Sequence, residues 1–189
     1  MDSSGAGLIV LAAGGSSRLG RPKQLLPWKG KPLIAHIVGE GIHPLFLVTG
    51  AVDLTDLPWE RPIHFVHNRC WSEGMASSIH AGLDALLNAF PDIPAVILSV
   101  CDQPFITRNL FERLIAQQTR TDKGIVASAY ADTLGTPVLF TRRYFPRLLT
   151  LTGSQGAKKL LSEYPEDVTS VTFDKGDVDI DTEDDYRAL

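Results

Sequence analysis

The chain has 189 residues, of which 44% are hydrophobic and 21% charged, and its net charge is −4. These values are typical of one globular domain, which we place over residues 1–189, and the lack of a basic run argues against a nucleic-acid partner. No apolar stretch approaches the roughly 18 residues of a membrane-spanning helix, and the polar N-terminus is unlike a signal peptide. Cys70 and Cys101 form no metal-spaced pair, and with so few cysteines we expect a reduced, cytoplasmic protein. The lack of a membrane-spanning stretch adds the expectation that it does not associate with a membrane.

A glycine-rich loop follows the first predicted strand. The apolar run Leu8–Ala13 has the length of a buried strand, and the segment Gly14–Gly20 comes directly after it. Such a loop exposes backbone N–H groups that can hold an anion, and the nearby Arg18 and Lys23 add positive charge. This pattern predicts a phosphate-binding loop at the carboxyl end of the strand. An ordinary surface loop with scattered charges is the alternative.

Two common phosphate-binding motifs do not fit this loop. No three glycines have the G-x-G-x-x-G spacing of a dinucleotide fingerprint. The P-loop spacing is present between Gly15 and Gly20, but Arg21 and Pro22 stand where that motif has Lys and Ser or Thr. The loop therefore predicts another kind of phosphate site.

The rest of the chain alternates predicted strands with predicted helices. The further strands are Pro44–Thr49, Ile63–Asn68, Ala95–Cys101, Gly124–Tyr130, Thr136–Thr141 and Val168–Phe173. The helices are Pro32–Val38, Met75–Phe90, one capped by Thr107 that runs to about Gln118, Arg142–Leu149, one from Gly153 or Ser154 to Tyr164, and Glu183–Leu189. Thr182, with Asp185 three residues later, fits an N-cap and its reciprocal acidic partner at the start of the last helix. We expect a turn or frayed helix at Gly50–Pro62. This order predicts an α/β fold with a mostly parallel sheet and one antiparallel strand within Tyr130–Thr141.

Asp102 is a candidate metal ligand. It ends the apolar strand Ala95–Cys101, and ligands of parallel sheets bind at the carboxyl ends of the strands. Carboxylates are preferred ligands of Mg²⁺. A turn or cap role just before Pro104 is the alternative.

The stretch LAAGGSSRLGRPKQLLPWKGKPL resembles the signature of the MobA-like NTP transferases, and within them the molybdenum cofactor cytidylyltransferase branch. The Leu-Ala-Ala-Gly variant favours that branch over the guanylyltransferases. The resemblance implies a Rossmann-like, three-layer α/β/α sandwich and a loop that binds the triphosphate of an NTP. The residues that it implies for nucleotide binding are Leu11, Ala12, Ala13, Gly14, Gly15, Ser16, Arg18 and Lys23.

The same resemblance implies roles for two further motifs. The Asp of the D-x-P motif, Asp102, would bind the metal, and one carboxylate of the closing D-x-D run, Asp179 or Asp181, would complete the site. We favour Asp181. Glu183 stands where the family has Pro, and dipole-favoured caps of the last helix are the alternative role for these acids.

A motif after the third strand resembles the family pattern N-x-x-x-x-x-G-x-x-x-S. The resemblance implies nucleotide contacts by Asn68, Gly74 and Ser78, whereas helix capping is the alternative, and we prefer it for Ser77. An acceptor-side loop is implied by Gly135-Thr136-Pro137 and by the segment at Gly153. There Ser154 replaces the usual Asp and Lys158 the usual Arg, so that Lys158 lacks bidentate geometry.

The expected function is transfer of CMP from CTP to a phosphate-bearing acceptor with release of pyrophosphate. Arg18, Lys23 and Asp102 would be catalytic, and Mg²⁺ would be the cofactor. The resemblance implies molybdopterin-type cofactor as acceptor, and a molybdoenzyme or its chaperone as protein partner. The alternatives are a guanylyltransferase of the same cofactor, a sugar- or alditol-phosphate nucleotidyltransferase, a non-catalytic nucleotide- or cofactor-binding module, and a glycosyltransferase with a similar sheet.

Overall fold

The computed structural model describes residues 5–189. Its strands, numbered in chain order, are β1 (Gly7–Leu11), β2 (Pro27–Trp28), β3 (Lys31–Pro32), β4 (Leu45–Thr49), β5 (His64–His67), β6 (Ala95–Val100), β7 (Ile125–Tyr130), β8 (Thr133–Thr141) and β9 (Val168–Thr172). Its α-helices are α1 (Leu33–Glu40), α2 (Met75–Ala89), α3 (Arg108–Thr121), α4 (Phe145–Leu148), α5 (Ala157–Glu163) and α6 (Glu183–Arg187). No helix in this part of the chain has the length and apolar character that crossing a bilayer requires.

Seven strands form one sheet in the order β5-β4-β1-β6-β8-β7-β9. Six run parallel, and only β8 is reversed, since it pairs antiparallel with both β6 and β7. The reversal is made by Ala131 and Asp132, which both have positive φ, as in a two-residue hairpin turn. The predicted mostly parallel sheet with one antiparallel strand is confirmed.

Helices cover both faces of this sheet. Side chains of a strand alternate between its faces. In β1, Ile9 and Leu11 therefore join the core cluster that α2, α4 and α5 complete, whereas Leu8 and Val10 join the cluster of α1 and α3. The predicted three-layer α/β/α sandwich is confirmed.

A crevice forms where the connections leave β1 and β6. The chain proceeds from β1 outward to β4 and β5, and it then returns to place β6 on the other side of β1. The loops that follow β1 and β6 consequently diverge, and ligands of such sheets bind between diverging loops. Residues 12–20 and Asp102 lie at this crevice.

The C-terminal segment is attached to the same end of the sheet. The Ile180 side chain is fully buried in a small cluster with Leu19, Leu26 and Leu33. Its backbone N–H donates to the carbonyl of Asp102 at 3.0 Å. The residues on either side of Ile180 are thereby fixed beside the end of β6.

Two predicted helix caps are present in the structure. The Thr107 hydroxyl accepts a hydrogen bond from the Leu110 N–H at the start of α3. Thr182 and Asp185 form a reciprocal capping box at the start of α6. Both were predicted from the position of a short polar side chain ahead of an otherwise helical pattern.

The start of α5 differs from the prediction. The helix begins at Ala157, three or four residues after the predicted start at Gly153 or Ser154. Gly153 has a φ of +55°, and the Gln155 side chain accepts from the Thr152 N–H, so these residues form a turn instead.

Other differences concern short elements. β8 begins at Thr133 rather than Thr136, because the tight turn lets its first residues pair with β7. Residues 50–62 form turns without a helix. The segment Arg142–Leu149 is divided into a 3-10 turn and the short α4, and the β2–β3 hairpin was not predicted.

Asp167 links three segments near the amino end of β7. Its carboxylate accepts from the Gly124 N–H (3.0 Å), Arg143 (2.8 Å) and the Tyr144 hydroxyl (2.6 Å). Burial opposes ionisation, but these donors outweigh it and hold the pKa of Asp167 below its ordinary value. Burial and the neighbouring carboxylate raise the pKa of Tyr144 to about 12.

We expect Asp167→Asn to lower the free energy of unfolding by about 1–2 kcal/mol near neutral pH, because hydrogen bonds to a charged acceptor are lost. A carboxylate with a depressed folded-state pKa stabilises above its unfolded pKa and loses that effect as pH falls through the folded pKa. The difference between the two proteins should therefore be full above about pH 5 and shrink toward pH 3. Urea titrations across this range measure it. The control is Asp84→Asn on the exposed side of α2, and a pH-independent difference for Asp167→Asn would contradict the assignment.

Candidate active site

The loop after β1 presents backbone donors. Its first residues are held by the neighbouring segment, since the Ala12 N–H donates to the Val48 carbonyl (2.9 Å) and the Ala13 carbonyl accepts from the Ala51 N–H (3.0 Å). In the part of the chain that the structure describes, the N–H groups of residues 13–16 have no partner. Ser16 has a φ of +53°, in the left-handed region. Successive N–H groups in such a turn form an anion-binding concavity.

Lys23 lies between two carboxylates from distant parts of the sequence. Its Nζ donates to Asp102 Oδ2 at 2.7 Å and to Asp181 Oδ1 at 2.9 Å. The Lys23 side chain is only 14% exposed. Its backbone N–H donates to Ser16 Oγ at 3.1 Å, which joins this cluster to the loop. The structure therefore brings together the predicted loop, Lys23, Asp102 and Asp181.

The charged groups of this cluster change the pKa values of Lys23 and Asp179. Burial alone would lower the pKa of Lys23, but the ion pair with Asp102 and the hydrogen bonds to both carboxylates outweigh it and raise the pKa. Partial burial, followed by repulsion from Asp102 and Asp181, raises the pKa of Asp179. Lys23 is thus a fixed cation, while Asp179 lies beside the pair and makes no ion pair among the described residues.

Two arginines lie on the solvent side of the cluster. Arg18 contacts Asp181 Oδ2 at 2.8 Å, but its side chain is 73% exposed. Arg21 makes two contacts to the Glu183 carboxylate, at 3.0 and 2.9 Å. Glu183, which stands where the family pattern has Pro, therefore joins α6 to the loop.

A cavity of about 330 Å³ opens between the loop, the start of α2 and the end of β6. The residues that line it are Leu11, Ala13, Gly14, Lys23, Gln24, Trp71, Ser72, Gly74, Met75, Ser78, Val100, Cys101 and Asp102. A cavity of similar size lies between α1 and residues 57–61, but neither Asp102 nor Asp181 lines it. The first cavity is therefore the one connected to the charged cluster.

The predicted nucleotide-binding residues fall into three groups. Those that line the cavity are Leu11, Ala13, Gly14, Lys23, Gly74 and Ser78. Those of the loop that lie outside the lining are Gly15, Ser16 and Arg18. Ala12 and Asn68 are buried behind the surface, since the Ala12 side chain packs in the core of the opposite sheet face.

Asn68 organises the turn that precedes α2. Its side-chain amide donates to the hydroxyls of Ser77 (2.9 Å) and Ser78 (3.0 Å), and its carbonyl accepts from the Cys70 N–H (2.9 Å). Ser77 in turn donates to the carbonyls of Cys70 and Gly74. Ser77 thus ties the start of α2 to the preceding turn, but its hydroxyl caps no backbone N–H and α2 has no side-chain cap, so the capping role that we preferred for Ser77 is wrong.

Gly74 lies where a neighbouring backbone approaches closely. Its φ is +117°, and a Cβ placed there would lie 2.4 Å from the carbonyl oxygen of Gly153. The Ala76 N–H donates to that same oxygen at 3.0 Å. The start of α2 and the loop before α5 are thereby held against each other at one wall of the cavity.

Asp102 and Asp181 are suitable ligands for a hard divalent cation. Both already converge on one cation, the Lys23 ammonium. No group of three acidic, histidine or cysteine side chains that could hold a metal occurs within residues 5–189. This donor set fits Mg²⁺, which commonly takes one or two carboxylates and fills its other positions with water and substrate phosphate.

Three residues near the site were not predicted. Gln24 and Gln103 are buried amides, whereas the Trp71 ring lies 3.3 Å from the position that a Cβ on Gly15 would occupy. The signal for Gln24 was its place beside Lys23 in the motif. The contacts of Trp71 and Gln103 join segments that are distant in sequence.

Comparison with known proteins agrees with this geometry. The MobA-like NTP transferase domain matches residues 8–168 of the chain. The chain belongs to the MobA-like NTP transferase family. It is therefore a nucleotidyltransferase of that family, whose members act on nucleoside triphosphates and phosphorylated acceptors and generally use divalent metals.

Individual relatives of this MobA-like protein carry different names. It is 31% identical over 202 residues to nicotine blue oxidoreductase of Paenarthrobacter nicotinovorans, covering 96% of this chain and 95% of that protein. It is 31% identical over 140 residues to 2-C-methyl-D-erythritol 4-phosphate cytidylyltransferase of Aromatoleum aromaticum, covering 67% of this chain and 59% of that protein. The structure of Rv0371c from Mycobacterium tuberculosis H37Rv is similar, with a TM-score of 0.78, 28% identity and 97% coverage of each chain. Rv0371c has also been solved as a manganese complex, with a TM-score of 0.71, 26% identity and 97% coverage of each chain.

We expect Lys23→Met to lower the free energy of unfolding by about 2–3 kcal/mol, because it leaves Asp102 and Asp181 together without their shared cation. Chemical denaturation measures the loss. The control is Lys31→Met, which removes an ion pair with Glu60 whose side chains are 53% and 79% exposed. Such an exposed pair is worth less than about 1 kcal/mol. An equal, small loss for both variants would show that Lys23 does not hold the carboxylates together.

Proposed function

We propose that this protein transfers a nucleoside monophosphate from an NTP to the phosphate group of an acceptor and releases pyrophosphate, through one domain that spans residues 1–189. The observation that carries the proposal is the position of Lys23 between Asp102 and Asp181, beside a loop of unpartnered N–H groups. The N–H groups of the loop and the Lys23 ammonium suit the phosphates of an NTP, whereas the two carboxylates suit a divalent cation. Phosphoryl-type transfer needs mainly such positioning and charge compensation.

The loop and the cations have separate tasks in this reaction. Residues 13–16 hold the triphosphate with their N–H groups, and Lys23 and Arg18 compensate its charge. An oxygen of the acceptor phosphate attacks the α-phosphorus while the bond to the β-phosphate oxygen breaks, and that oxygen leaves with pyrophosphate. Because the acceptor phosphate is already an anion, the protein need not remove a proton from it.

Asp102 and Asp181 are the proposed ligands of Mg²⁺. The contacts of Asp181 to Lys23 and Arg18 favour it over Asp179, which lies outside the ion-pair cluster. When bound, Mg²⁺ supplies positive charge to phosphate oxygens. The manganese complex of Rv0371c supports a divalent cation in this family.

The proposed donor is CTP, and the proposed acceptor is a molybdopterin-type cofactor delivered to a molybdoenzyme or its chaperone. The Leu-Ala-Ala-Gly variant of the loop motif supports CTP over GTP, and one similar relative is a cytidylyltransferase by name. The reaction would take place in the cytoplasm, which fits two free cysteines.

We expect CTP to be the best donor when CTP, GTP, ATP and UTP are compared with Mg²⁺ and molybdopterin cofactor released from a purified molybdoenzyme. Pyrophosphate release and transfer of label from the α-phosphate measure the reaction. Efficient use of GTP without CTP would replace the cytidylyltransferase assignment by the guanylyltransferase one.

We expect Asp102→Asn to lower Mg²⁺-dependent transfer by at least about 100-fold, because one of two charged ligands becomes neutral. The matched control is Asp174→Asn, an exposed acid outside the cluster, which should keep near-wild-type turnover. Nicotine blue is tested as a second substrate, because one relative is named nicotine blue oxidoreductase. If the protein converts nicotine blue equally well with and without this substitution, and shows no nucleotidyl transfer, the proposed function is wrong.

A further inference from the structure

A buried glutamine lies next to Lys23 in the chain. Gln24 belongs to the 3-10 turn Lys23–Leu25 and is fully buried. Glutamine is mostly exposed in proteins, and a buried amide is unfavourable unless its polar atoms are hydrogen-bonded. The contacts of its two polar atoms therefore indicate what the residue is for.

The Gln24 amide holds two carbonyl groups of the phosphate loop. Its Nε2 donates to the carbonyl of Ala12 and to the carbonyl of Gly14, both at 2.8 Å. A trans peptide is planar, and its N–H points opposite to its carbonyl. The two hydrogen bonds therefore turn the N–H groups of Ala13 and Gly15 away from Gln24.

Those N–H groups are the ones that lack a partner. Within residues 5–189, no acceptor is found for the N–H groups of residues 13–16, although Ala13 is only 4% exposed. Buried backbone N–H groups are nearly always paired in folded proteins. The unpaired N–H of the buried Ala13 therefore indicates an acceptor from outside the chain, such as a phosphate oxygen, whereas Gly14 and Gly15 are exposed and leave their N–H groups open to the same ligand.

The other polar atom of Gln24 shows that the orientation of the amide has a cost. Its Oε1 is buried and has no hydrogen-bond partner in the described structure. Rotation of the amide by half a turn would not help, because Oε1 would then face two carbonyl oxygens. The side chain keeps one unsatisfied oxygen so that Nε2 can hold both carbonyls, and such an exception calls for a functional explanation.

We propose that Gln24 is a positioning residue for the triphosphate: it fixes the carbonyls of Ala12 and Gly14 and thereby presents the N–H groups of the loop to phosphate oxygens. This inference rests on the proposed function, because it assigns the loop to a polyphosphate. It adds a link between the two halves of the site. The turn that sends Lys23 to the carboxylates also sends Gln24 to the loop.

The test uses tripolyphosphate with Mg²⁺ as a probe, because this anion needs neither a base pocket nor an acceptor. Calorimetric titration is performed on the wild-type protein and on Gln24→Met and Gln24→Glu. The first variant keeps the length of the side chain without its donors, and the second keeps its shape but replaces the donor by an oxygen. We expect both to weaken tripolyphosphate binding by about tenfold or more, which corresponds to a loss of at least one charge-assisted hydrogen bond.

The matched control is Gln117→Met. Gln117 lies on α3, away from the loop and from both carboxylates, and its Nε2 likewise donates a hydrogen bond, to the Thr169 hydroxyl at 2.9 Å. Tripolyphosphate affinity should be unchanged in this variant. Steady-state kinetics give a second readout: the Gln24 variants should raise the KM for the NTP and leave the KM for the acceptor unchanged, a split that a general loss of stability would not produce.

Three outcomes would overturn the inference. If Gln24→Met binds tripolyphosphate as tightly as the wild type, Gln24 does not position the loop, while the proposed function stands. If neither variant folds, as judged by denaturation, Gln24 is only a structural residue. If the wild type binds neither tripolyphosphate nor any NTP, the proposed function fails together with the inference.

Discussion

The site depends on one ammonium group placed between two carboxylates. Lys23 contacts Asp102 and Asp181, which come from the end of a central strand and from the last segment of the chain. Each acid alone would be an ordinary polar side chain at the edge of the sheet. Brought together without a cation the two negative charges would repel each other, and Lys23 offsets this repulsion by contacting both side chains. This arrangement suits a centre that must handle both phosphates and a metal ion.

The turn that carries Lys23 organises the other side of the site as well. Its backbone contacts Ser16, and its next residue, Gln24, contacts the carbonyls of the loop. A few consecutive residues thus set the positions of the N–H groups of the loop and of the two carboxylates at once. A shift of the turn would displace both the loop and the carboxylates. A substitution of a residue that packs beneath the turn, such as Leu26, is therefore expected to change substrate binding by moving the turn rather than by removing a contact.

Much of the fold could be predicted from the sequence, since the sheet strands are apolar runs between turn residues and two helix caps have short polar side chains. The start of α5 could not, because a left-handed residue at Gly153 is not evident from hydrophobic pattern. The choice between Asp179 and Asp181 was also open, since both belong to one acidic run. In the structure the burial of Ile180 and its bond to Asp102 direct the next carboxylate to Lys23. That contact is long-range and has no local signal.

The small apolar cluster around Ile180 has a consequence for the order of assembly. It joins Leu19, Leu26 and Leu33, near the beginning of the chain, to a residue close to its end. During synthesis the strands of the sheet emerge before this last segment, so a nascent chain can build most of its core while its acidic pair is incomplete. Cleavage of the chain before Ile180 would have the same effect, because Asp181 would then be missing beside Lys23 and the proposed metal site would keep only one of its two carboxylates.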